Sequence, residues 1–221
     1  MPSRHFVFDA YGTLFDVHSA ALRHKDALGP AWDRLSQLWR TKHLEYTWIY
    51  AQTGRHTTFR RLAELSLDYA IADVGGIPAG LREKLLADYH TLAAYPEVAE
   101  VLGALESNGA KLAILTNGDP DLIEAAVTSA GLMGLFEALI TVHEAGIFKP
   151  SMKVYKLASD RFGAAPADIS FYSSNRWDVA GAKVFGFRAV WVNRTGAPDE
   201  YPDMPADSVI KDLRPLLADA G

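Results

Sequence analysis

The feature that most constrains this chain is an alternation. A short apolar run stops at a polar residue, and a segment of helical periodicity follows. His5 to Phe8 ends at Asp9 and a turn at Tyr11-Gly12-Thr13. Leu112 to Leu115 ends at Thr116-Asn117-Gly118, and Ala138 to Val142 leads through a loop to Phe148-Lys149-Pro150. Ile169 to Tyr172 ends at Ser173-Ser174-Asn175, and Ala189 to Val192 at Asn193. Runs this short and this continuously apolar suit strands buried on both faces. Between them, helical patterns open at Pro96-Glu97, Asp119-Pro120 and Pro150-Ser151 and close at Gly109, Gly131 and Gly163. A last one, capped or begun by Asp178, closes at Gly186. Strand alternating with helix predicts the α/β class, a doubly wound parallel sheet with helices on both faces.

Residues 16–95 break that alternation. Trp32, Leu35, Leu38, Trp39, His43, Tyr46 and Tyr50 fall near helical spacing. So do Phe59, Leu62, Ala63 and Leu67, and again Leu81, Leu85, Tyr89 and Leu92. The expectation is an α/β core formed by residues 1–15 and 96–221, with an all-helical cap of residues 16–95 inserted after the first strand. That insertion places helices over the carboxyl ends of the strands, where open α/β sheets bind ligands.

Composition removes several function classes. With no cysteine among 221 residues, thiol nucleophiles, disulfide scaffolds, zinc ribbons and iron–sulfur sites are excluded together. A net charge of -5 argues against nucleic acid as a partner. The first residues lack the apolar run of a signal peptide, and no stretch approaches a membrane span. The expectation is a cytoplasmic protein with neither membrane nor nucleic-acid partners.

In a parallel sheet the polar residues that follow the strands share one edge, so four distant segments converge. Singly each is weak, since Asp or Asn after a strand is more often a turn or cap residue. Their combination and order resemble the haloacid dehalogenase superfamily, through Phe8-Asp9-Ala10-Tyr11-Gly12-Thr13-Leu14, Leu115-Thr116-Asn117-Gly118, Phe148-Lys149-Pro150 and Ser173-Ser174-Asn175-Arg176-Trp177-Asp178. The resemblance implies a HAD-like Rossmannoid core in which Asp9 is a nucleophile forming a covalent aspartyl intermediate.

Most members of that superfamily transfer phosphoryl groups with Mg²⁺ and carry a second Asp two positions after the nucleophile. Here that position is Tyr11, whose phenol, with an ordinary pKa of about 10, cannot serve as the acid near pH 7. The fourth segment offers one carboxylate, Asp178, where a hard divalent cation wants several. These departures are similar to those of the L-2-haloacid dehalogenases. So is the stretch Leu38-Trp39-Arg40-Thr41-Lys42-His43-Leu44-Glu45-Tyr46-Thr47-Trp48 within the helical insertion.

The resemblance implies hydrolysis of short L-2-haloacids to D-2-hydroxyacids with inversion, using water and releasing halide, with no metal and no cofactor. It implies catalytic roles for Asp9, Thr13, Lys149, Ser173, Asn175 and Asp178. Substrate-binding roles fall to Tyr11, Arg40, Leu44, Thr116, Asn117, Tyr155 and Trp177, and the protein is expected to be a homodimer. Lys149 would keep Asp9 ionised beside an anionic substrate, Arg40 and Asn117 would take the halide, and Thr116 the substrate carboxylate. Which of Ser173, Asn175 and Asp178 activates water stays open at this level.

Blander assignments stand beside these. Tyr11 and Leu44 suit an alkyl pocket or simple packing, Trp39 and Trp48 suit core or dimer packing, and Asp178 suits a helix N-cap. Asp16 suits a cap for the first inserted helix, and His143-Glu144 a loop. Arg176 is expected to point outward. The rival functions are a metal-dependent phosphatase of the same fold, an enzyme tuned to haloacetate or fluoroacetate, and an inactive binding protein.

Overall fold

The computed structural model describes residues 4–218; the outermost residues of the expected core, 1–3 and 219–221, lie outside the described residues. Strand β1 is His5–Phe8. Five helices follow: α1 (Ser19–Arg23), α2 (Lys25–Leu28), α3 (Trp32–Gln52), α4 (Phe59–Asp73) and α5 (Leu81–Asp88). The alternation then resumes with α6 (Val98–Ser107), β2 (Lys111–Thr116), α7 (Pro120–Ser129), β3 (Ala138–Thr141) and α8 (Met152–Phe162). It ends with β4 (Ile169–Ser173), α9 (Arg176–Phe185), β5 (Arg188–Val192) and β6 (Ser208–Ile210).

All pairings are parallel, in the order β3-β2-β1-β4-β5-β6. The five expected strands stand where the apolar runs put them. Strand β6 was not foreseen: it is a three-residue edge strand whose central Val209 is exposed, so it lacks a continuous apolar signal. Strand order reverses at β1, which lies between β2 and β4. A sheet wound outward both ways from one strand opens a crevice at that strand's carboxyl end, and right-handed crossovers put its helices on both faces. Asp9 follows β1 directly, and its N–H donates to Tyr172 O at 2.9 Å.

The helical segment joins the rest of the fold where the chain enters and leaves it side by side. Asp16 N donates to Ala93 O at 2.8 Å and Tyr95 N to Leu14 O at 2.9 Å, an antiparallel bridge centred on Phe15 and Ala94. Asp16 does not cap α1. Its carboxylate accepts from His18 N, and α1 starts one residue further on. Helices α3 and α4 pack along each other, and Trp39 Nε1 donates to Ala63 O at 2.9 Å, which makes Trp39 a core residue.

Candidate active site

The turn after β1 is built by Gly12, at φ +94, a conformation that favours glycine. A Cβ there would also meet Ser174 Oγ at 3.0 Å. The turn presents Asp9 and Thr13 on one side. Asp9 Oδ2 accepts from Asn175 Nδ2 at 2.8 Å and from Thr13 Oγ1 at 3.0 Å, with Ser173 Oγ at 3.5 Å. Thr13 has one hydroxyl proton and two acceptors in reach, Asp9 Oδ2 and Ser174 Oγ at 3.3 Å. The nearer, carboxylate acceptor takes it, and the Thr13 oxygen in turn accepts from Ser174 N at 2.8 Å.

Asp9 Oδ1 faces Lys149. The Lys149 ammonium lies 3.1 Å from Asp9 Oδ1 and 2.9 Å from Asp178 Oδ2, and both Lys149 and Asp178 are 0% exposed. Burial alone would lower the Lys149 pKa, but Asp178 and Asp9 outweigh it and the ammonium is held above its ordinary value. Two carboxylates sharing one cation leave an excess negative charge in a dry site. Desolvation is the largest influence on Asp178, and its pKa is pushed up to about 6 despite Lys149 and the hydrogen bond from Tyr155. Tyr155 Oη donates to Asp178 Oδ1 at 2.7 Å. It gets there because α9 passes close by at Gly181, where a Cβ would collide with the Tyr155 hydroxyl and lie 2.9 Å from Pro150 Cβ.

From the helical side, Arg40 Nη2 donates to Tyr11 O at 2.9 Å and to Asn175 Oδ1 at 3.1 Å. Its Nη1 and the Tyr11 hydroxyl are buried donors with no protein partner. The Tyr11 ring stacks on Tyr89, tilts against Phe59 and lies on the Gly118 backbone, where a Cβ would be 2.7 Å from Tyr11 Cε2. Burial, then the charges around it, raise the Tyr11 pKa well above 10, so it remains a neutral donor. A fixed cation and a neutral hydroxyl, both unmatched, suit a small anion.

A family model for haloacid dehalogenase-like hydrolases matches residues 4–186. The chain belongs to that family. This hydrolase is 39% identical over 216 residues to (S)-2-haloacid dehalogenase 1 of Pseudomonas sp. (strain CBS-3), covering 97% of this chain and 95% of that one. It is 40% identical over 201 residues to haloacetate dehalogenase H-2 of Moraxella sp. (strain B), covering 90% and 89%. Its fold matches L-2-haloacid dehalogenase from Xanthobacter autotrophicus, solved with chloropropionic acid covalently bound, with a TM-score of 0.86, 35% identity and coverage of 99% and 98%.

In the hydrolase, Asp9, Thr13, Ser173, Asn175, Lys149, Asp178, Tyr155, Tyr11 and Arg40 form one connected network. Asp178 is not an N-cap. Asn175 holds that position, and Asp178 is the third residue of α9 with its carboxylate turned to Lys149. Thr116 Oγ1 accepts from Gly118 N at 3.0 Å and keeps its proton to donate. Asn117 Oδ1 accepts from Lys149 N at 2.9 Å, which leaves its amide nitrogen as the end able to meet a ligand. Leu44 is half-buried one turn beyond Arg40 on the same face of α3, outside the hydrogen-bonded network. Trp177 packs edge-on against Trp48. Arg176 does turn away from Asp9, but it is buried rather than a free surface charge. It binds Asp199 and the carbonyls of Tyr201 and Met204 and so anchors the loop before β6.

Other residues around the site were not singled out in the sequence. His43 is buried, and desolvation with the nearby Arg40 charge lowers its pKa to about 3, so it is neutral. Its Nε2–H donates to Phe59 O at 3.0 Å, which leaves Nδ1 to accept from Tyr89 Oη at 3.4 Å. Burial pushes the Tyr89 phenol up to about 12, with the Arg40 charge opposing the rise. Arg194 donates to Thr13 O at 2.7 Å and pairs with Glu97. Asp119 opens α7 as expected, its carbonyl accepting from Leu122 N and Ile123 N at 3.1 Å, but its side chain turns elsewhere; the carboxylate oxygens accept from Phe59 N at 3.1 Å and Arg60 N at 2.8 Å, the first amides of α4.

The donor set does not fit a divalent cation. The space between the Asp9 and Asp178 carboxylates is taken by the Lys149 ammonium, and position 11 offers a neutral phenol. Among the described residues, no three His, Cys, Asp or Glu side chains are grouped to hold a metal.

Proposed function

We propose that this hydrolase converts short L-2-haloacids to D-2-hydroxyacids through an ester on Asp9. The observation that carries this is the setting of Asp9: a carboxylate fixed by Lys149, Thr13 and Asn175, with Tyr11 in place of an acid two residues on. One Asp9 oxygen attacks the α-carbon opposite the halogen. The carbon–halogen bond breaks, the halide leaves with the electron pair, and the carbon inverts. Halide is a good leaving group, so this step needs neither a general acid nor a metal. Water then attacks Cγ of Asp9, the hydroxyacid departs, and the water proton passes to a base. Dividing the hydrolysis this way is covalent catalysis.

Asp178 is the carboxylate of the network that the ester does not consume, and a pKa near 6 suits a base working at neutral pH. Arg40 Nη1 and the Tyr11 hydroxyl are assigned to the halide, together with the Asn117 amide, and Thr116 with nearby backbone amides to the substrate carboxylate. Lys149, Ser173 and Asn175 hold Asp9, Tyr155 holds Asp178, and Leu44 and Trp177 bound the alkyl side. Residues 16–95 act as a cap over the core of residues 1–15 and 96–221. No helix among the described residues is long and apolar enough to cross a membrane, in keeping with a proposed cytoplasmic location.

The test is halide release from each enantiomer of 2-chloropropionate, with and without chelator. Release from the L form alone, unaffected by chelator and abolished in Asp9→Asn, supports the proposal. Turnover of phosphate esters with Mg²⁺ and none of haloacids would refute it. A preference for haloacetate is the second reading, favoured by the crowding of Tyr11 between Tyr89, Phe59 and Gly118. It predicts a higher kcat/KM for chloroacetate than for L-2-chloropropionate.

A further inference from the structure

A sizeable cleft lies away from Asp9. It is a cavity of about 600 Å³ between the α3–α4 connection and the loop that leads into Lys149. Arg55 and His56 line one wall, His143 and Lys153 the other, all exposed. Arg55 rests on the Tyr50 ring with its charge free, and neither Arg55 nor Lys153 has an ion-pair partner among the described residues. Cations elsewhere on the chain are commonly paired, as Arg34, Lys156 and Lys183 are. The cleft also reaches the immediate neighbours of the catalytic groups: Phe148 precedes Lys149, and Asp119 follows Gly118, on which the Tyr11 ring lies. The one carboxylate lining it, Asp119, is engaged by the Phe59 and Arg60 amides.

We propose that this cleft is a cationic vestibule that gathers the small carboxylate substrate and leads it to the closed site beside Asp9. The inference rests on the dehalogenase reading for its substrate. It resolves a mismatch of charge: a protein of net charge -5 repels a haloacid anion at long range, and a low-dielectric cleft carrying unpaired cations reverses that field locally. Anions attracted there approach the site through Phe148 and Asp119. A cationic entrance raises the local concentration of anions without taking part in bond breaking, so its removal changes KM and leaves kcat alone.

The absence of cysteine makes the test clean, because a single introduced thiol is the only one present. In Arg55→Cys, KM for L-2-chloropropionate should rise about threefold at low ionic strength with kcat unchanged, and the effect should fade as salt is added. A cationic thiosulfonate reagent on that cysteine should restore KM, an anionic one should raise it further, and reductant should reverse both. At Thr57→Cys, a bulky neutral adduct should lower kcat/KM at every salt concentration. Labelling of Thr57→Cys reads the field without any turnover. The anionic reagent should react about tenfold faster than the cationic one at low salt, and Lys153→Gln should diminish that ratio. Equal labelling rates, or a KM indifferent to the charge at position 55 in an enzyme that releases halide, overturn the vestibule. Absence of halide release from the unmodified enzyme instead overturns the dehalogenase reading.

Discussion

Lys149, shared between Asp9 and Asp178, is the residue on which the site turns. Removing the ammonium would leave two buried carboxylates without compensation, so at least one would take up a proton. The raised pKa of Asp178 has two consequences of definite sign. The folded protein holds that proton up to about pH 6, while the unfolded carboxyl has its ordinary value of 3.8. Stability contributed at this position is therefore greatest below pH 3.8 and falls as pH rises through 6. Activity runs the other way: if Asp178 is the base, kcat declines as pH drops below about 6. Since the Tyr155 hydroxyl lowers the Asp178 pKa, Tyr155→Phe should move the acid limb of the kcat profile upward by about one pH unit. A profile unchanged in Tyr155→Phe would remove Asp178 from the role of base.

Among the elements, α9 and α4 show how packing sets the chemistry. In the interior of α9, alanine at position 181 would gain about 1 kcal/mol in helix propensity. The collision with Tyr155 and Pro150 outweighs that gain, and overpacking of this kind costs about 1–3 kcal/mol. Gly181→Ala should therefore lower Tm and, by displacing Tyr155 from Asp178, shift the acid limb in the same direction as Tyr155→Phe. Helix α4 has its first amides satisfied from two sources: Asp119 takes those of Phe59 and Arg60, and Thr58 takes that of Arg61. Asp119→Ala should cost about 1–2 kcal/mol of stability, with hydrogen exchange hastened first at the Phe59 and Arg60 amides. Exchange unaltered at those amides would mean the Asp119 contact does not hold α4.

These elements also explain what the sequence revealed. Strands buried on both faces are written as continuous apolar runs, and the residues that end them meet at one sheet edge by topology. Asp9, Lys149, Ser173 and Asp178 were legible for that reason. Edge strand β6 lacks that signal because its middle residue faces solvent. His43, Tyr89 and Asp119 were illegible as neighbours of the site because their partners lie on other elements: Phe59 on α4 for His43, His43 on α3 for Tyr89, and the first amides of α4 for Asp119. Periodicity reports which face of a helix is buried and not what it is buried against.

For the whole molecule, the proposed vestibule and the junction at residues 14–16 and 93–95 both lie where the helical segment meets the sheet-bearing part of the chain. The helical segment also leaves Leu22, Ile49 and Tyr69 exposed, and a homodimer joined through that segment would cover them. Sedimentation should then report a dimer that Ile49→Asp weakens at unchanged secondary structure, whereas a monomer at micromolar concentration would exclude it.

Above all, Asp9 is assigned to carry the substrate as an ester that water opens at its own carboxyl carbon. A single turnover in ¹⁸O-labelled water, with enzyme in excess over L-2-chloropropionate, separates this from direct attack by water on the substrate. The label is predicted in the Asp9 side chain, with the first-turnover lactate unlabelled. Label found directly in that lactate, with none in the peptide bearing Asp9, would contradict the covalent route.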